Sequence, residues 1–225
     1  MRTILITGAS GGLAQEMVKL LPQDQLILLG RNKEKLAQLY GNRPQAELIE
    51  IDITDAQALE ELVTELYQRY GKIDVLINNA GYGIFEDFDK ISNQDIHQMF
   101  EVNTFALMNL SRLFASRMKE IRKGHIINIV SMAGLIATAR SSLYSATKFA
   151  AIGFSNALRL ELMPYGCLLY TSSLNLALQN NQRSLNLALQ SNQRSLNLAL
   201  QSNLINKKIR HLNRISQSLK SSLAG

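Results

Sequence analysis

Residues 3–14 read Thr3-Ile4-Leu5-Ile6-Thr7-Gly8-Ala9-Ser10-Gly11-Gly12-Leu13-Ala14. A short apolar run passes through small residues into an amphipathic segment at 13–21, the pattern of a strand, a Gly-rich turn and a helix. An unbroken apolar run suits a strand covered on both faces. The small residues let a backbone approach a bound group closely, and the helix N-terminus offers free N–H groups and partial positive charge to an anion such as pyrophosphate. A Gly-rich loop alone is a weak sign, because glycine serves any tight turn; the strand before it and the helix after it give it weight.

Working outward, apolar runs at 26–29, 47–51, 75–77 and 126–130 read as further buried strands. Amphipathic stretches at 33–40, 56–70, roughly 93–121 and 143–163 read as helices, the last stopped by Pro164 and Gly166. Repeated βαβ predicts an α/β fold, a doubly wound parallel sheet of Rossmann type. Right-handed crossovers bring the carboxyl ends of the strands to one edge, where such sheets bind ligands.

A chain of 225 residues fits one ordinary domain. Its net charge of +6 suggests an acidic partner until it is counted by segment. Residues 1–167 hold 17 Lys and Arg against 18 Asp and Glu, whereas residues 168–225 hold 7 Lys and Arg and no acid. The division expected is a dinucleotide-binding and catalytic domain at 1–167 and a basic Leu/Asn/Gln/Ser tail at 168–225. The tail has one aromatic, Tyr170, too few for base stacking, so a nucleic-acid partner is not expected. From Ser173 an eleven-residue repeat begins, SLNLALQNNQR. It alternates like a strand, suits a right-handed helical stripe, and is equally what a frameshift, fusion or assembly error would leave. The single cysteine, Cys167, suits a reducing compartment, and the N-terminal apolar run is too short for a signal peptide or membrane span, so the expectation is cytoplasmic. His97 and His125 lack a second ligand at metal spacing, so no metal is expected.

The second strand ends Leu29-Gly30-Arg31, about 19 residues past Gly12. An acid there would bond the ribose 2′-hydroxyl of NAD; an arginine accommodates the 2′-phosphate of NADP. Arg31 therefore argues for NADP(H) over NAD(H), with a solvated surface arginine as the plain alternative. Asp52, closing the third strand, is placed to approach the adenine or to serve as a turn residue.

Ser131 closes the fifth strand, and thirteen residues on comes Tyr144-Ser145-Ala146-Thr147-Lys148. Tyr and Lys four apart share one helical face. A free tyrosine near pKa 10 is a poor acid at neutral pH, but a neighbouring ammonium and an oxidised nicotinamide favour the phenolate. Tyr144 can then exchange a proton with a carbonyl/alcohol oxygen held by Ser131 while hydride moves to or from a nicotinamide, and Lys148 can also bond the nicotinamide ribose. Tyr82, Ile84, Phe85, Leu135 and Ile136 line an apolar substrate pocket or anchor loops.

Taken in order, Thr7 to Ala14, Asp52, Asn78-Asn79-Ala80-Gly81, Asn103, Ser131 and Tyr144-x-x-x-Lys148 closely resemble the classical short-chain dehydrogenase/reductase family over the first 167 residues. The resemblance implies a catalytic set of Asn103, Ser131, Tyr144 and Lys148, with Asn103 supporting a water-linked proton relay behind Lys148. It implies that Thr7, Gly8, Ser10, Gly11, Gly12 and Leu13 hold the dinucleotide and that Asn78, Asn79, Ala80 and Gly81 shape the cofactor edge. It also implies a homo-oligomer built on the helices around Asn103 and Tyr144, and a small-molecule carbonyl or alcohol substrate. Two departures stand out. Ala14 replaces a usual third glycine, and the repeat replaces the family's sixth strand, substrate lid and seventh strand. A C-terminally incomplete sheet with exposed apolar surface is the expectation, and a non-catalytic dinucleotide-binding fragment is the rival reading.

Overall fold

A computed structural model describes residues 1–174. The three readings of the repeat fall on residues 175–225, apart from its first two residues, and so lie outside the described residues. In chain order the main elements are β1 (Thr3–Ile6), α1 (Gly12–Lys19), β2 (Gln25–Gly30), α2 (Lys33–Tyr40), β3 (Ala46–Glu50), α3 (Ala56–Tyr70) and β4 (Val75–Asn78). There follow α4 (Asn93–Phe100), α5 (Ala106–Glu120), β5 (His125–Ser131), α6 (Ser142–Leu162) and β6 (Leu168–Leu174). The strands are all parallel and lie in the order β3-β2-β1-β4-β5-β6. This is the Rossmann-like doubly wound sheet, with helices on both faces.

The two-residue period of the strands sorts their side chains between two cores. Ile4, Ile6, Leu26 and Leu28 pack with Met17 and Val18 of α1 and Leu36 of α2. Leu5, Ile27 and Leu76 pack on the other face with Leu66 of α3, Phe114 of α5 and Leu158 of α6. Truncating a buried residue such as Phe114 to alanine costs about 3–5 kcal/mol. Ala14 is fully buried in the first of these cores, so the small residue does permit close packing of α1 on the sheet. The order in which strands are added reverses between β1 and β4, although both run parallel, and this switch opens a crevice at their carboxyl ends.

Two expectations are corrected. A sixth strand is present: β6 runs parallel to β5, with register from His125↔Leu168 to Ser131↔Leu174. Gly166 at φ +70° turns the chain back after α6, and the Leu168 N–H reaches the Gly124 carbonyl at 3.0 Å. β6 therefore covers the edge of β5 that was expected to be exposed. The single helix expected over 93–121 is in fact two helices joined by a π-helical turn, Glu101–Phe105. Such a turn carries one residue more than an α-helical turn and is common at functional sites.

Candidate functional site

The crevice is built by mutual hydrogen bonding of the loops after β1 and β4. Thr7 Oγ1 accepts from the N–H groups of Asn79 and Ala80, both at 3.0 Å. Asn79 Nδ2 donates back to the carbonyls of Thr7 (3.0 Å) and Gly8 (3.2 Å). Gly8 sits at φ +63°, and a Cβ on it would lie 2.8 Å from Ala80 Cα. No side chain caps the N-terminus of α1, and a Cβ on Gly12 would meet nothing within 4 Å. The helix end therefore faces open space with unpaired N–H groups, which is what a pyrophosphate requires.

A cleft of about 420 Å³ runs from here along the sheet edge, within the range of small-ligand sites. Gly8, Ser10, Gly11, Gly12 and Leu13 line one part of it, Arg31 the second, and Asn79, Ala80, Gly81 and Lys148 the third. Lys35 also lines it, one helical turn beyond Arg31. The sequence reading missed Lys35, although its four-residue spacing from Arg31 was a usable signal. Asn32 caps α2 by accepting from the Lys35 N–H at 2.6 Å, which sets both basic residues at the same rim. Asp52 is placed differently: Ile51 and Ile53 line the cleft, while its carboxylate accepts from the N–H (2.9 Å) and hydroxyl (2.8 Å) of Thr54. The Thr54 N–H, more than the charge of Arg31, holds that carboxyl below the ordinary range.

At the other end, Ser131 closes β5 and Tyr144 stands in the first turn of α6; both are 1% exposed. The Tyr144 hydroxyl is buried without a completed hydrogen bond. Burial pushes its pKa up to about 12, outweighing the nearby Ser131 hydroxyl, which draws it down. Ser131 Oγ accepts instead from the Ala133 N–H at 3.2 Å. Lys148 Nζ lies 5.7 Å from the centre of the Tyr144 ring, and burial lowers its pKa to about 8. Asn103 is fully buried in the π turn. Its Oδ1 accepts from the Tyr82 N–H (3.0 Å), and its Nδ2 donates to the Tyr82 carbonyl (2.8 Å) and to Thr147 Oγ1 (3.1 Å). A Cβ on Gly81 would meet Asn103 Oδ1 at 3.1 Å and Lys148 Nζ at 3.2 Å, so these three converge. Thr147, not singled out in the sequence, joins Asn103 to the Tyr144 carbonyl, to which its hydroxyl donates at 2.8 Å.

Phe85 packs on Tyr144 with ring centres 5.4 Å apart. An ion pair between Arg140 and Glu86 at 2.7 Å ties the loop after β5 to the loop carrying Phe85. His125 lies at the far end of β5, where burial lowers its pKa to about 4. Among the described residues, no group of three or more His, Cys, Asp and Glu gathers at metal-binding distance.

The buried charge of Lys148 costs stability. Its folded pKa near 8 lies below the unfolded value near 10.5, so the penalty is complete below pH 8 and fades as pH rises through that interval. Lys148→Met removes a penalty on the order of 3 kcal/mol at pH 7. The expected outcome is a higher denaturation midpoint at pH 7 and a gain that shrinks by pH 10, checked by urea unfolding at both.

The chain belongs to the short chain dehydrogenase family, which it matches over residues 2–176. It is 30% identical over 182 residues to 3-ketodihydrosphingosine reductase of Bacteroides thetaiotaomicron, covering 80% of this chain and 66% of that protein. A metagenomic short-chain oxidoreductase in complex with NADP superposes with a TM-score of 0.72 at 29% identity, covering 76% of this chain and 80% of the other. An NAD+-bound xylitol dehydrogenase gives a TM-score of 0.72 at 27% identity, covering 76% and 69%. Relatives thus bind either dinucleotide. The chain spans 60 to 66% of the length of three curated relatives that it matches.

Proposed function

We propose that this protein is an NADP(H)-dependent oxidoreductase that interconverts a carbonyl and a secondary alcohol. The observation that carries the reading is a buried, unpartnered Tyr144 hydroxyl beside Ser131, its ring 5.7 Å from Lys148 Nζ, with Lys148 lining a cleft that begins at a bare helix N-terminus. The residues present fit a dinucleotide: the α1 terminus and Gly12 leave room for its phosphates, and Asn79, Ala80 and Gly81 leave room beside Lys148. When bound, the nicotinamide supplies or receives the hydride.

The protein's own part is proton transfer and orientation. Tyr144 Oη gives its proton to the substrate oxygen during reduction and takes it back during oxidation. Ser131 Oγ donates to the same oxygen, stabilising charge as it develops. Lys148, charged in part near neutral pH, lowers the cost of the tyrosinate once the site is occupied. Asn103 holds Tyr82 and Thr147, and through them the two walls of the site. The substrate we propose is apolar beside its carbonyl, because Phe85, Leu135 and Ile136, 45 to 62% exposed, stand on the loops that flank Tyr144. The reductase name of the Bacteroides relative supports carbonyl reduction as the direction.

The reading is tested by fluorescence titration of the purified chain with NADPH and NADH, followed by turnover of aldehydes, ketones and quinones. A second reading, binding without turnover, is favoured by the chain's spanning only 60 to 66% of those relatives. NADPH binding with no oxidation of it by any of these carbonyls would select that reading.

NADP(H) preference rests on Arg31 with Lys35. Arg31→Asp removes a phosphate partner and adds repulsion; NADPH affinity falls about 10- to 10²-fold while NADH affinity holds or improves. The same titration checks it.

A homo-oligomer is part of the proposal. Phe105, Met108 and Phe154 line an open groove of about 710 Å³ along α5 and α6, and Phe149 on α6 is also exposed. Sedimentation velocity would show a monomer if this is wrong. We propose a cytoplasmic location on the one unpaired cysteine; no helix among the described residues is long and apolar enough to cross a membrane.

A further inference from the structure

Below the site a row of polar side chains crosses the sheet where apolar ones would be expected. Asn78 Nδ2 donates to Ser111 Oγ at 3.1 Å and to Asn128 Oδ1 at 2.9 Å. Asn128 Nδ2 donates to Ser155 Oγ at 2.8 Å, and Ser155 Oγ donates to the Ala151 carbonyl at 2.7 Å. None of the four side-chain bearers is more than 3% exposed. Asn78 and Asn128 are also directly opposed in the β4–β5 register.

Stability alone does not account for this row. Burying four polar side chains costs desolvation, Asn78 Oδ1 is left without a partner, and apolar residues of matching volume would serve the core as well. What the row does is touch the four elements that carry the reacting end of the site. β4 leads into Asn79, Ala80 and Gly81; α5 continues from the π turn of Asn103; β5 ends in Ser131; α6 bears Tyr144 and Lys148. Ser155 lies eleven residues after Tyr144, three turns along the same face of α6. Apolar contacts tolerate sliding, whereas a directed hydrogen bond has one geometry. Asn128 is the central member, accepting from β4 and donating to α6, which an amide can do and a carboxylate cannot.

We infer that Asn128 is a positioning residue: through Ser155 it fixes the face of α6 that holds Tyr144 and Lys148 against the strand that ends in Ser131. The inference rests on the reading of Tyr144 as the proton donor, and its test separates the two.

The full chain is compared with its Asn128→Leu, Ser155→Ala and Ser155→Thr variants, using NADPH and 9,10-phenanthrenequinone as probe. A displacement of an ångström at the reacting groups lowers kcat about 10- to 10²-fold in the Leu and Ala variants, with KM and NADPH affinity within about threefold. Ser155→Thr, which keeps the hydroxyl, restores most of kcat. Unchanged kcat in the Leu and Ala variants, or kcat, KM and NADPH affinity declining together with the melting temperature, overturns the inference. If the parent chain does not reduce the probe, the functional reading is at fault, and positioning is read without substrate by amide hydrogen exchange. Exchange over residues 142–155 that is about tenfold faster in Asn128→Leu, with residues 33–40 unchanged, sustains the inference; a uniform rise or no change refutes it.

Discussion

Tyr144→Phe lowers kcat by about 10²- to 10⁴-fold and leaves NADPH affinity within about threefold. The substitution removes one oxygen and nothing else. That oxygen has no hydrogen-bond partner in the protein, so its loss leaves no buried group newly unsatisfied. The ring contact with Phe85 survives, and the fold is expected to gain slightly in stability. Only the proton donor is lost, which separates chemistry from binding. Stopped-flow measurement of hydride transfer checks it; a Phe variant with parental kcat would remove Tyr144 from the mechanism. A high pKa for Tyr144 in the described protein also has a consequence for pH. Its hydroxyl stays protonated across the physiological range, so it stands ready as an acid, and oxidation is expected to need a higher pH than reduction.

Gly8→Val damages fold and binding together. The backbone at φ +63° costs a non-glycine residue about 1–2 kcal/mol, more when it is β-branched. The new Cβ falls 2.8 Å from Ala80 Cα and 3.1 Å from Ala80 N, which are backbone atoms held by Thr7 and cannot move aside. Separating the two loops widens the crevice at its closest point. A loss of about 3 kcal/mol is expected, on the order of 10 °C in Tm, with NADPH affinity down at least about 10²-fold. Gly12→Ala is the informative contrast. With nothing within 4 Å of its Cβ, it keeps its melting temperature, yet the methyl intrudes on the cleft and weakens NADPH binding. Calorimetry paired with fluorescence titration distinguishes the two glycines.

The strands and most helices were legible because each is short, strongly apolar or strongly periodic, and bounded by Gly, Pro or an N-cap. β1 falls at residues 3–6 as read, and α3 at 56–70, where Asp55 caps its N-terminus by accepting from Ala58 N–H. Asn103, Ser131, Tyr144 and Lys148 were named from spacing and resemblance; the fold brings Asn103 and Lys148 together at Gly81 and sets Tyr144 beside Ser131. Besides Lys35 and Thr147, three larger features escaped. The π turn at Glu101–Phe105 keeps the residue types of a helix, so no periodicity in 93–121 marks it. β6 was obscured because Leu168–Leu174 runs into the repeat, whose composition masked a strand with Tyr170 and Thr171 in it. The polar row failed to show because Asn128 interrupts an apolar run only once, and Ser111 and Ser155, which bond Asn78 and Asn128 respectively, come from helices distant in sequence. Asp52 shows the reverse error: strand-end position is visible in sequence, but the side chain's preference for its own turn at Thr54 is a local competition that position does not reveal.

The π turn sets a rule about length. Ala106 N–H bonds back to the Glu101 carbonyl, five residues away, so this segment carries one residue more than a regular helix would. Deleting a residue here would give the chain a smoother helix and better local hydrogen bonding. It would also rotate α4 against α5 by about 100° and carry Asn103 away from Tyr82 and Thr147. Between residues 101 and 105, then, the positions other than Asn103 and Thr104 are open to exchange of one residue for another, whereas gain or loss of a single residue is not tolerated.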